Sequence, residues 1–132
     1  MIKRKPERPT QKKYIPKFYL KPEEKERLME VKKLLEENLS RHYTIPQLSK
    51  RALMNEFKLK KGFRLLFAKS IHDFHFELRI KEAEKLLCTT SYPLEDIAEK
   101  TGYYYVSSFI VAFKSYYKIT PASFRRNCLE YE

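Results

Sequence analysis

Apolar residues return at three- and four-residue intervals along most of this chain, the spacing of helices rather than strands. Leu28, Val31, Leu35 and Leu39 make one stripe in a helix that should open at Pro22, a good first-turn residue followed by Glu23 and Glu24, and end near Leu39. Thr44 with Gln47 three positions on is a capping box, which predicts a short helix through Leu48 and Arg51. Asn55 caps the next helix, NEFKLKKGFRLLF. With Leu59 set at zero and about 100° per residue, Phe63, Leu66 and Phe67 share roughly a quarter turn with it. Lys60, Arg64, Phe57, Lys61, Leu65 and Lys58 follow around the rest, so four cations and two apolar residues leave the core together. The segment IHDFHFELRIKEAEKLL, residues 71–87, carries Ile71, Phe74, Leu78, Ala83 and Leu86 at the spacing of an extended amphipathic helix, a spine between two halves. Shorter helices follow over Leu94–Lys100, Val106–Tyr117 and Pro121–Arg126, with Gly102 turning the chain between the first two. The chain reads as all-α, with about seven helices.

The halves repeat one another at an offset of about 50 residues. Leu48 and Ser49 correspond to Ile97 and Ala98, Met54 to Tyr103, and Leu59 and Phe63 to Phe109 and Phe113. Each half is a short helix, a tight turn and a longer helix, the layout of a helix-turn-helix. There a small residue lets the second helix pack across the first, and a turn residue, ideally Gly, accepts a positive φ. Ala98 and Gly102 meet both demands; Ser49 and Leu53 meet only the first, so the first turn should be strained or differently shaped.

Composition narrows the partners. At 132 residues the chain suits one domain or two small subdomains, and 42% hydrophobic with 14% aromatic residues is the make-up of a folded protein. Its 28 Lys plus Arg against 17 Asp plus Glu give a net charge of +11. That balance calls for a polyanion such as nucleic acid or an acidic membrane surface. Residues 1–20 read as a flexible basic arm or linker, since Met1 to Lys17 hold seven cations against Glu7, with three prolines. Two glycines leave no Gly-rich phosphate cradle, which weakens nucleotide-dependent enzymes. Cys88 and Cys128 match no zinc spacing and are expected as small buried thiols in a reducing compartment. His42, His72 and His75 are too scattered for a metal site or relay, and Glu95, Asp96 and Glu99 read as solvated charges near a helix start. No catalytic group, metal site or cofactor is therefore expected. Without a signal peptide or an apolar run of about 20 residues, the expected location is cytoplasmic, away from membranes.

Residues from about 22 to 126 resemble the DNA-binding domain of AraC/XylS-type transcription regulators. LRIKEAEKLL carries Arg79, Ala83, Leu86 and Leu87 at the family's positions. DIAEKTGY, SSFIVAF and ITPASFRR supply Ile97, Ala98, Gly102, Phe109, Phe113, Pro121 and Arg125. MNEFKLKKGFRLLF is similar to the first recognition helix of the branch containing siderophore-uptake regulators. The chain departs from the family at Tyr104 and Tyr105, where better caps are usual, and at Lys118, where Gly is usual. The resemblance implies a homeodomain-like all-α fold: a first helix-turn-helix subdomain over 21–70, a connecting helix over 71–88 and a second subdomain over 89–132. It implies a bacterial, sequence-specific, double-stranded DNA-binding regulator, usually an activator, that places two recognition helices in successive major grooves about 10 bp apart. RNA polymerase and a separate N-terminal effector-sensing domain in a longer parent chain are implied partners. Residues 1–20 cannot hold such a domain, so the chain is expected to be a DNA-binding fragment or a short stand-alone regulator. A basic helical RNA-binding or protein-interaction module is the competing reading.

The first recognition helix offers Glu56, Phe57, Lys58, Lys60, Lys61 and Arg64, whose cations can bond guanine edges or phosphates. Lys60 sits at the margin of the buried arc, and Phe57 can equally stack on protein or touch a base. Overlaying the second helix through Phe109 gives Ser107, Ser108, Ile110, Val111 and Lys114. These are suited to hydroxyl bonds, methyl contacts and at most a single phosphate, so the first half should supply most base readout and charge. Thr44, Lys69 and Arg125 are candidate phosphate contacts carried over from the resemblance. The many tyrosines follow the helix faces and read as core and rim rather than a stacking platform.

Overall fold

The computed structural model describes residues 18–130, which form seven helices and no strand. The basic arm expected over residues 1–20 lies, up to Lys17, outside the described residues. Helix α1 spans Pro22–Glu37, α2 Ile45–Ala52, α3 Glu56–Phe67, α4 Ile71–Thr89, α5 Leu94–Lys100, α6 Val106–Tyr117 and α7 Pro121–Glu130. Among these residues no helix is long and apolar enough to cross a membrane.

Local chemistry sets most helix starts. The Thr44 hydroxyl accepts the Gln47 N–H at 3.2 Å while the Gln47 side chain accepts the Thr44 N–H at 2.9 Å, completing the capping box. Asn55 Oδ1 accepts from Lys58 N at 2.7 Å and Ser70 Oγ from Asp73 N at 3.0 Å, opening α3 and α4. At α1 the Glu24 carboxylate reaches back to accept the Lys21 N–H at 2.8 Å. This helix ends at Glu37, so Leu39 falls in the following loop and the stripe stops at Leu35.

Two cores result. Leu28, Val31, Leu35, Leu48, Leu59, Phe63 and Ile71 are buried together in the first. Ile80, Ala83, Leu87, Ile97, Ala98, Phe109 and Phe113 fill the second. Helix α4 serves both, with Ile71 and Ala83 buried as expected, but its buried face extends beyond the expected stripe. Phe74, Leu78 and Leu86 are only half-buried, while His75, Arg79, Ile80 and Leu87 are inside. A helix that packs on one core with its first turns and on another with its last cannot be described by a single stripe.

The two helix-turn-helix turns share one shape. Met54 N bonds Ser49 O at 3.2 Å and Tyr103 N bonds Ala98 O at 2.8 Å, with Leu53 at φ 55° and Gly102 at φ 92° in the left-handed region. The alternatives posed by Leu53 thus resolve toward strain: the turn keeps its form and a leucine adopts it, at a cost of about 1–2 kcal/mol. The recognition-helix ends repeat as well, through Ala68 (φ 64°) and Lys118 (φ 70°).

The halves meet at a joint beside Gly102. His42 Nε2 donates to Gly102 O at 2.6 Å, linking the loop between α1 and α2 to the second turn. On α4, the Arg79 guanidinium lies 4.8 Å from the Tyr103 ring centre. His75 is buried nearby; burial first, and then the Arg79 charge, push its pKa below the ordinary value.

Cys88 and Cys128 correct the expectation of free thiols. They form a disulfide, with Cα atoms 5.5 Å apart. Their separation of 40 residues gave no sign of this, because the pairing depends on α7 folding back along the end of α4.

Candidate nucleic-acid interface

Each half exposes one face of its second helix. On α3, Gly62 turns toward α1, where an added Cβ would stand 2.8 Å from Leu28 Cδ1 and 3.1 Å from Leu20 Cδ2. That close approach seats α3 against α1 and leaves Phe57, Lys60, Lys61, Arg64 and Leu65 exposed on the other side, with Glu56 in the first turn. Lys60, Lys61 and Arg64, with Phe57, Ile45 and the start of α4 at Ser70 to His72, line a groove of about 480 Å³.

Lys58 is engaged by a protein carboxylate. Its ammonium lies 2.8 Å from Glu24 Oε2 on α1, and the Lys58 bond is the first cause holding the Glu24 carboxyl below its usual range, with the Lys21 N–H the second. It was expected among the outward cations because a helical projection cannot show that α1 places a carboxylate over that edge. Phe57 packs edge-on against Phe18 with centroids 6.2 Å apart, which favours the protein-stacking alternative, although the ring remains 65% exposed. Lys61 Nζ sits 5.4 Å from both ring centres.

On α6, Ser107, Ser108, Val111 and Lys114 are exposed, Val111 by 70%. Ile110 departs from the expected set, being half-buried against the second core. In front of the helix stand two residues that sequence reasoning passed over as poor caps: Tyr104, 90% exposed, and Tyr105, 62% exposed, with rings edge-on at 4.7 Å. The signal was present in their departure from the family's capping pattern. They extend the outer face of the second unit with two hydroxyls.

The three candidate phosphate contacts divide. Thr44 is exposed at the start of α2. Lys69 is ion-paired with Glu77 on α4, which raises its pKa. Arg125 donates from Nε to Leu87 O at 3.1 Å and from Nη2 to Thr90 O at 3.3 Å, closing the carbonyl end of α4. Lys69 and Arg125 are both engaged by protein groups, each finding its acceptor in tertiary structure. Among the described residues no group of three or more His, Cys, Asp or Glu side chains could hold a metal ion.

Two short-then-long helical pairs on one spine, each with the outer face of its second helix open, define a tandem helix-turn-helix DNA-binding domain. A family model described as a helix-turn-helix domain matches residues 48–127. The xylose operon regulatory protein of Haemophilus influenzae is 34% identical over 70 residues, which cover 53% of this chain and 18% of that protein. The chain therefore spans about a fifth of the length of that relative. The C-terminal domain of the two-component response regulator yesN from Fusobacterium nucleatum superposes with a TM-score of 0.69 at 31% identity, over 74% of this chain and 96% of that one. The DNA-binding domain of AdpA, a global transcriptional factor solved with a target DNA, superposes with a TM-score of 0.71 at 24% identity, over 76% of this chain and 90% of that one. The chain belongs to the AraC-type helix-turn-helix family of DNA-binding transcription regulators.

Proposed function

We propose that this domain reads a specific double-stranded promoter sequence by placing α3 and α6 in successive major grooves of one duplex, about 10 bp apart. The observation that carries this reading is the sorting of cations on α3. Lys58 is drawn to Glu24, whereas Lys60, Lys61 and Arg64 remain exposed, with no carboxylate among the described residues paired to them. Lys61 and Arg64 are assigned to guanine edges or phosphates, with Lys60 beside them; Ser107, Ser108, Val111 and Lys114 supply fit, thymine-methyl contact and register. Thr44 is placed at a phosphate. In the longer parent that the relatives suggest, the domain would act in the cytoplasm as an activator, with RNA polymerase as partner and a separate domain sensing an effector.

Selection of bound duplexes from a random pool tests the reading. A motif with one or two 10-bp-phased elements is expected, and affinity should fall steeply with salt. Lys61→Ala or Arg64→Ala should cost about 1–3 kcal/mol on the selected site and relax preference at one position. Equal losses on selected and random DNA would remove base readout from these side chains. Structured RNA competing as well as the selected duplex at matched salt would replace the regulator reading with an RNA-binding one.

A further inference from the structure

Three consecutive tyrosines precede α6, and the fold sorts them. Tyr103 turns inward, its ring centre 5.7 Å from that of Phe109 and 4.8 Å from the Arg79 guanidinium. Tyr104 and Tyr105 turn outward, 90% and 62% exposed, with their rings edge-on at 4.7 Å. The turn that holds them is longer than its counterpart. Met54 and Tyr103 occupy the same place in the two turns, each donating its N–H to the carbonyl five residues back. The fully buried Leu59 follows Met54 by five positions, whereas the fully buried Phe109 follows Tyr103 by six. Tyr104 is the added residue, and Tyr105 is the N-cap where Asn55 stands in the first half. Asn55 caps α3 through its side chain, but the Tyr105 side chain makes no cap bond. Packing and capping therefore account for neither ring, and leaving both in water forgoes the burial an aromatic side chain usually gains.

The pair continues the outer face of α6, on which Ser107, Ser108, Val111 and Lys114 are exposed. From Tyr105 to Lys114 the helix axis runs about 14 Å, longer than the roughly 12 Å width of a major groove. With Ser107, Ser108 and Val111 over the bases, the two ends fall at the rims, where the phosphates are. We infer that Tyr104 and Tyr105 bind the sugar–phosphate backbone at one rim of the second groove, each hydroxyl donating to a phosphate oxygen while the paired rings rest on deoxyribose. The inference rests on the duplex-reading function proposed above and names the residues that anchor its second half. A tyrosine hydroxyl bonds phosphate without carrying a charge, so this anchor withstands the salt that weakens contacts by Lys60, Lys61 and Arg64. Each ring limits the rotation of the other, which reduces the side-chain entropy lost on binding. The pair holds α6 at a fixed height in its groove, as contacts by Ser107, Ser108 and Val111 require.

The test uses the full chain on its selected duplex. Tyr104→Phe and Tyr105→Phe keep both rings and remove one hydroxyl each. Each should weaken binding about tenfold, the worth of one bond to a charged acceptor. The log–log salt slope and the base preference in the second half-site should stay unchanged. Single methylphosphonates along each strand locate the partner: a substitution at a rim of the second half-site that weakens the parent should cost the matching Phe variant markedly less. The double variant Tyr104→Ala with Tyr105→Ala should lose more, since the rings go with the hydroxyls. Circular dichroism melting separates these effects from loss of fold. Phe variants that bind as the parent does, a relaxed base preference, coupling to phosphates of the first half-site alone, or a change in self-association in place of DNA affinity would overturn the inference while leaving duplex reading intact. A full chain that prefers no duplex would overturn both.

Discussion

Gly102→Ala is the most direct probe of the joint that holds the two recognition helices in register. At φ 92° the backbone is one that L side chains rarely adopt, and an added Cβ would stand 3.2 Å from Leu39 O, 3.2 Å from Ser40 Cα and 3.3 Å from Ser40 O. All three atoms are backbone of the loop between α1 and α2, so no side chain can swing aside. The conformational cost is about 1–2 kcal/mol. Pushing the loop back also stretches the 2.6 Å bond from His42 to Gly102 O, whose loss is worth about 1 kcal/mol. Together these give about 2–3 kcal/mol, a fall in Tm on the order of 10 °C for a domain of this size. Circular dichroism melting measures that part. Binding to the selected duplex, measured well below the lowered Tm, should also weaken, because the displaced loop belongs to the half carrying α3 while Gly102 belongs to the half carrying α6. Leu53→Gly in the equivalent turn is the control: Leu53 is 74% exposed, and glycine relieves the same left-handed strain. It should change stability by less than about 1 kcal/mol. A Gly102→Ala protein that melts within about 2 °C of the parent and binds equally well would show that the turn does not rest on the loop.

Lys58→Gln and Lys61→Gln should separate on two axes: the first lowers stability through Glu24 with a small change in DNA salt slope, and the second does the reverse. Equal effects on DNA would return Lys58 to the interface. Because Glu24 is held below its ordinary value of 4.5, its contribution is complete at neutral pH and is lost as pH falls below about 4.5 through the lowered folded value; Lys58→Gln should flatten that acid limb in urea titrations. Reducing Cys88–Cys128 with dithiothreitol should cost about 4 kcal/mol, from the unfolded-chain entropy of a 40-residue span. Melting with and without reductant checks this, and a Cys128→Ser protein should not respond to the reagent. Lowered in the fold from 6.5, His75 binds protons more readily in the unfolded chain, so stability should decline as pH drops below about 6.5. His75→Gln should remove that slope between pH 7 and 5.5, and a slope retained in this variant would assign it to other groups.

Local signals carried far. Thr44 with Gln47, Asn55 and Pro22 marked starts that the helices observe, and Leu94–Lys100 and Val106–Tyr117 were bounded correctly by periodicity and Gly102. The repeat was legible because Ser49 and Ala98, or Phe63 and Phe113, do the same packing job in each half. What stayed hidden depends on which surfaces meet. Lys58 and Arg64 both fall outside the buried arc of a helical wheel, yet α1 brings Glu24 to Lys58 and no carboxylate among the described residues pairs with Arg64. Arg125, Lys69, Cys88 and Cys128 find partners on α4 or its end that no local window contains. The face of α4 was legible only in part for the same reason, since its two ends serve different cores and bury His75, Arg79, Ile80 and Leu87 besides Ile71 and Ala83.

The halves share turns, caps and buried phenylalanines, but their outer faces use different physics. Around α3 the exposed groups include three full positive charges, Lys60, Lys61 and Arg64, beside Phe57 and Leu65; attraction of such charges to a duplex comes largely from counterion release and therefore weakens as salt rises. Around α6 they are hydroxyls and methyl-bearing side chains, with Lys114 as the cation on the exposed face; contacts of that kind depend on distance and fit, and salt affects them little. The His42 bond and the close seat of Gly102 join the two. On the reading proposed above, charge at one end would bring the domain to DNA at many sequences, while contact at the other would succeed only where the second groove arrives at the right height and angle. Discrimination in such an arrangement depends on the joint as much as on either recognition helix, since a loose joint would let α3 bind without requiring α6 to fit.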